Sequence, residues 1–265
     1  MKKIGWLFLL AFFFGGVSTK AQSTFGKYAK LDGLRKIEIG KALSQMPETG
    51  GRAEDFVPPH WTIFNRAEGD LNTDGVKDFA FTLILDEQDS IYIDALKKLD
   101  QDDSWINDAF IIVVVDSHAD RKMHLSAVNY QLLGDSGAAI RGDERSVFKL
   151  AFNKNVLDII VSYGGMQHTN ATFHFREDPP TGGFLTLIGF DVENFCDTLS
   201  ENCGKWRMSE NYLTNTRVET KKTYTKIRAG GFVETYKQTK IPPVKIDFMD
   251  ARLNDSNKKD NVRPF

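Results

Sequence analysis

Gly69-Asp70-Leu71-Asn72-Thr73-Asp74-Gly75-Val76-Lys77-Asp78 runs directly into Phe79-Ala80-Phe81-Thr82-Leu83-Ile84-Leu85, an acidic glycine-containing turn followed by a mostly apolar run. Asp, Asn and Gly stop regular structure, and a short apolar run bounded by such residues reads as a strand. Working outward, short alternating or continuous apolar runs bounded by Gly, Asn, Asp and Pro recur, so the fold class the chain predicts is mainly β, with antiparallel sheets and one or two short helices.

The turn has its own chemistry. Asp70, Asn72 and Asp74 are spaced two apart, Gly75 follows, and Asp78 ends the segment. A calcium ion takes six to eight oxygen ligands, so a short chain must curl round it with alternate side chains turned inward. Gly75 supplies the sharp bend and Val76 a backbone carbonyl. The expected metal ligands are therefore Asp70, Asn72, Asp74, Val76 and Asp78, with calcium as a structural cofactor. An EF-hand would need a bidentate Glu at position 12, where Phe81 stands, so that class is excluded. The competing reading is an Asx-rich turn that bonds only its own backbone. Three carboxylates within nine residues repel one another unless a cation is present, which favours calcium.

The loop resembles the FG-GAP and VCBS-like calcium loops, in which Gly-Asp-Leu-Asn-x-Asp-Gly-x-x-Asp joins two strands. With Phe56-Val57-Pro58-Pro59-His60-Trp61, Ile111 to Val115, Phe173-His174-Phe175-Arg176, Phe184 to Gly189 and Asn211-Tyr212-Leu213-Thr214, the chain over residues 55–220 is similar to a group of uncharacterised exported bacterial proteins. Asn215 stands where that group has Gly. The resemblance implies a β-rich architecture and a single calcium loop, and it implies no activity.

Further strands are predicted at 61–65, 110–115, 123–131, 146–152, 156–163, 169–176, 183–190, 223–228, 232–239 and 244–248. Asn153-Lys154-Asn155 and Ala229-Gly230-Gly231 suit tight hairpins and favour antiparallel order. Leu31 to Met46, apolar at 31, 34, 37, 42 and 43, fits one amphipathic helix, and a second short helix is expected between Asp86 and Asn107. Asp-rich loops of this kind recur once per blade in propellers, whereas this chain has one and no internal period, which argues against that fold.

Met1-Lys2-Lys3, the apolar run Ile4 to Val17 and the small residues up to Ala21 have the order of a secretory signal, with cleavage expected after Ala21. The run is 14 residues, short of the roughly 20 that span a bilayer. Residues 22–250 are expected to form a single β-rich domain, and 251–265 a disordered tail. Without residues 1–21, 31 basic residues face 36 acidic ones, a net −5. With the Lys pairs at 97–98, 221–222 and 258–259 isolated, that balance excludes nucleic acid as a partner. An unknown ligand or envelope protein remains, with no transmembrane segment in the exported chain. Cys196 and Cys203, the only two cysteines, are expected to form a local disulfide. Closing its eight-residue ring contributes about 2 to 3 kcal/mol.

No catalytic set is legible. The five histidines, His60, His118, His124, His168 and His174, form no metal-binding doublet. His118/His124 and His168/His174 are six apart, about 20 Å along a strand, too far to share a metal. Asp116-Ser117-His118-Ala119-Asp120 reads as a solvated turn, the acid pairs Asp102-Asp103 and Glu177-Asp178 as surface, and Tyr163 to His168 as a hairpin connection at the rim of a face. The expected function is a non-enzymatic, calcium-binding structural or binding module of the cell envelope. The alternative is a secreted hydrolase acting on glycans or peptides, with carboxylates or histidines gathered from distant strands.

Overall fold

The computed structural model describes residues 33–85, 109–117, 122–132, 147–163, 167–178, 184–196, 205–225 and 231–248. The expected signal segment, the helix between 86 and 107 and the C-terminal tail lie outside them. Among the described residues no helix is long and apolar enough to cross a membrane.

Two antiparallel sheets make up the fold. Strands β1 (Thr49–Gly50), β2 (Trp61–Gly69), β3 (Asp78–Leu85), β4 (Phe110–Ser117) and β5 (Met123–Asn129) form the first, in the order β1-β5-β4-β3-β2. Strands β6 (Val147–Asn153), β7 (Val156–Tyr163), β8 (Gln167–Asp178), β9 (Phe184–Cys196), β10 (Lys205–Asn211), β11 (Thr216–Thr225) and β12 (Gly231–Lys240) form the second, which runs β12 to β6 without a crossover. A helix α1 covers 33–45 and a 3-10 turn Ala53–Phe56.

The apolar runs of β3 and β4 are buried on both faces because each face has a different cover. Ala80, Ile84, Phe110, Ile112 and Val114 pack against Leu157, Ile159, Phe173 and Phe175 of the second sheet. Phe81, Leu83, Leu85, Ile111, Val113 and Val115 pack against Ile39 and Ala42 of α1, Phe56 and Trp61. The layers are therefore helix, sheet, sheet. On α1 it is Leu34, Ile39, Ala42 and Leu43 that face inward, while Ile37, expected on that face, is 54% exposed. Two bulges let β2 and β5 serve both layers. In β2 the extra residue is Phe64, so Ile63 faces the helix side and Ala67 the second sheet. In β5 it is Ser126, which divides Leu125 from Ala127 in the same way.

The 153–156 hairpin forms as expected, with Lys154 at φ +55° and Asn153 opposite Val156. Strands β11 and β12 pair antiparallel, as the second hairpin requires. Asn215 adopts φ +52°, a left-handed conformation that Asn tolerates better than other side chains. Residues 244–248, expected as a strand, make only a single bridge, Thr186 to Asp247. Pro242 and Pro243 carry no N–H to donate. The segment returns beside β9 instead, with Leu187 N–H bonded to the Ile246 carbonyl at 2.9 Å. Phe248 enters the core edge-on to Phe175 at 4.9 Å, and the buried Asn129 holds its carbonyl from β5.

Candidate functional site

The acidic loop is the β2–β3 connection, closed at its base by the Gly69–Asp78 pair. Gly69 is required there by a close approach, since a Cβ would lie 2.2 Å from Phe152 Cγ on β6. Gly69→Ala is expected to force Phe152 aside and cost roughly 1–3 kcal/mol in a urea titration, and a neutral result would show that β6 yields freely.

Above this base the loop curls through two left-handed residues, Thr73 at φ +63° and Gly75 at φ +82°. Gly75 was expected to bend. Thr73 was not, and a β-branched residue there is strained. Side-chain oxygens hold the curl. Asp74 N–H donates to Asp70 Oδ1 at 3.1 Å and to Asn72 Oδ1 at 3.0 Å, and Gly75 N–H donates to Asp70 Oδ2 at 3.0 Å. Val76 N–H donates to Asp74 Oδ1 at 2.7 Å. Leu71, between these polar residues, is buried and packs into the core between the sheets, so the loop is pinned from within.

Asp78 does different work. It is fully buried, with Leu71 N–H donating to Oδ2 at 2.7 Å and Ser117 N–H to Oδ1 at 2.8 Å. It thereby ties the loop to the end of β4. Burial pushes its carboxyl above the usual range, outweighing the hydrogen bonds from Ser117 and Leu71. The five residues expected around a cation thus divide. Asp70, Asn72 and Asp74 turn their oxygens onto one turn of backbone, while Asp78 accepts from Leu71 within the loop through Oδ2 and from Ser117 on β4 through Oδ1. Among the described residues no three His, Cys, Asp or Glu side chains converge in a group able to hold a metal. The donor set is hard oxygen throughout, which suits calcium in kind.

No protein-family model, curated protein or solved structure matches this chain. What the site can do is therefore read from its own residues.

Of the other sequence candidates, Ser117 is not in a solvated turn. It ends β4, is buried, and its backbone serves Asp78. His118, Asp120, Asp102, Asp103 and Cys203 lie outside the described residues, and Cys196 closes β9. Tyr163 ends β7 and Gln167 begins β8, as a hairpin connection requires. His168 stacks on Phe195 at 5.3 Å. His174 is the one sequence reasoning undervalued. Its Nδ1 lies 2.6 Å from Asp158 Oδ1 on β7 and its Nε2 3.4 Å from Asp191 Oδ2 on β9. The three residues are 16 and 17 positions apart in the chain, so only strand register brings them together.

Proposed function

We propose that the chain is a non-catalytic, calcium-stabilised β-sandwich module, exported to the cell envelope or its surroundings, that acts by binding or by structural support. The observation that carries this reading is the loop: oxygens of Asp70, Asn72 and Asp74 are gathered on one tight turn between two strands of the core. Calcium would take the lone pairs that the backbone amides leave free on these oxygens, with the Val76 carbonyl adding a ligand. Asp78, the last of the expected ligands, also fastens the loop to β4. In this reading the ion fixes a strand connection and is not the working part of a reaction.

The test is thermal unfolding with calcium and with chelator. At about 1 mM calcium and a dissociation constant of about 0.1 mM, linkage adds about 1.4 kcal/mol, which corresponds to a rise in Tm of about 3–5 °C for a chain of this size. Asp74→Ala is expected to abolish the rise. A melting curve that ignores both calcium and chelator removes the metal from the proposal.

A further inference from the structure

The outer face of the second sheet holds a group that the loop does not use. Asp158 and His174 sit directly opposite each other on β7 and β8, and His174 sits opposite Gly189 on β9. Gly189 leaves room for the imidazole, since a Cβ there would come within 3.3 Å of His174 Cδ2 and 3.1 Å of the Glu210 carbonyl oxygen. The ring spans three strands, with one carboxylate at each nitrogen. Because the two carboxylates lie at opposite ends of the ring, they are not arranged to share a metal with it.

We propose that Asp158, His174 and Asp191 form a proton-operated clamp across β7, β8 and β9, closed while the imidazole is protonated and released on the β9 side when it is not. Charged imidazole donates at both nitrogens, so each carboxylate receives a charge-assisted bond. Neutral imidazole donates at one. The shorter contact to Asp158 keeps that hydrogen, and Nε2 then turns a lone pair toward the Asp191 carboxylate, converting an attraction into a repulsion. The other groups facing the clamp do not replace the lost bond. Arg207 on β10 reaches Asp191 at 3.9 Å but is 60% exposed, a screened contact of little strength. Ser209, also on β10, bonds Asp191 without charge, and Arg176 lies two residues along β8 itself.

The direction of titration agrees. Burial opposes charging of His174, but the hydrogen bonds it donates to Asp191 and Asp158, together with their negative charge, outweigh it and raise the imidazole above its usual value of 6.5. Asp191 is lowered, chiefly by its bond to His174. A histidine raised in the folded state contributes stability that is complete below the unfolded pKa and is lost as pH rises through the folded value. The clamp therefore closes toward acid and opens as pH rises through the raised folded-state value of His174.

The experiment is an NMR titration of His174 in the full chain, with hydrogen exchange of the β8 and β9 amides followed over the same range. The expected midpoint lies above 6.5, falls by about one unit or more in Asp158→Asn/Asp191→Asn, and coincides with faster exchange on β9. If the double variant does not fold, the wild-type midpoint and the exchange profile decide alone. A midpoint at or below 6.5, or β9 exchange that does not follow it, overturns the clamp. Calcium plays no part in these readouts, so they stand or fall apart from the loop.

Discussion

Asp78→Ala is expected to lower stability by about 3 to 5 kcal/mol, read as a fall in the urea midpoint with an unchanged slope. The cost does not come from the carboxylate's own comfort, because its burial is unfavourable enough to raise its pKa. It comes from the two buried N–H groups of Leu71 and Ser117, each of which loses an acceptor at 2.7 or 2.8 Å. An orphaned buried donor costs about 1–3 kcal/mol, and Leu71 would also be freed from the core. Asp78→Asn keeps the shape but offers one acceptor oxygen and sets an NH₂ against the remaining donor, so it is expected to lose about half as much. The pH dependence gives an independent check. A carboxyl raised in the folded state binds its proton more tightly there than in the unfolded chain. Its contribution to stability therefore grows as pH falls through the folded pKa, is complete below about 3.8, and is lost above the folded value. Wild type should gain on Asp78→Asn between about pH 7 and about pH 4. A constant gap over that range, or a loss under about 1 kcal/mol in Asp78→Ala, would show that this residue does not tie the loop to β4.

Much of this arrangement was legible in the sequence for a physical reason. β3 and β4 are covered on both faces, so Phe79 to Leu85, broken only by Thr82, and Phe110 to Val115 appear as apolar runs that no surface strand would tolerate. The Lys154 hairpin and the Gly75 bend follow from local sterics alone. What was missed depends on partners distant in the chain. β10 carries inward-facing Trp206 and Met208, but the next inward residue is Glu210, which breaks the apolar alternation. The first half of β11 is polar because it lies at the outer part of the sheet. The bulges at Phe64 and Ser126 leave no mark in composition, since they are set by the need of β2 and β5 to face two layers. In the loop, residue types and the bend were readable, whereas the bond that Ser117 N–H donates to Asp78 was not, because it spans 39 residues. The His174 clamp is hidden for the same reason.

Glu210→Ala is the second large effect expected, about 3–5 kcal/mol, because it leaves a charge inside the protein without its counterpart. Glu210 is 3% exposed and Arg217 14%. The guanidinium donates from Nε at 2.7 Å and lies 2.5 Å away through Nη2, both to Oε1, while Tyr212 Oη donates to Oε2 at 2.6 Å. Glu210 opposes Phe190 on one side and Arg217 on the other, so the acid has a core aromatic as one cross-strand neighbour and its counter-charge as the other. Such a pair gives little net stability over apolar residues of similar volume, since desolvation offsets the attraction. Glu210→Met/Arg217→Met is therefore expected to be far milder than either single change, with a coupling of about 2 kcal/mol or more in the double-variant cycle. The pair's value lies in register. A one-residue slip of β11 on β10 would turn Arg217 to the opposite face and strand Glu210 in the core, and the polar strands β11 and β12 have few apolar contacts that would resist it. The Met/Met variant should thus remain folded yet show β11 amides exchanging faster than in wild type. Additive single changes, or unaltered β11 exchange in the Met/Met variant, would mean that the pair is a passive inclusion and that the hairpin fixes its own register.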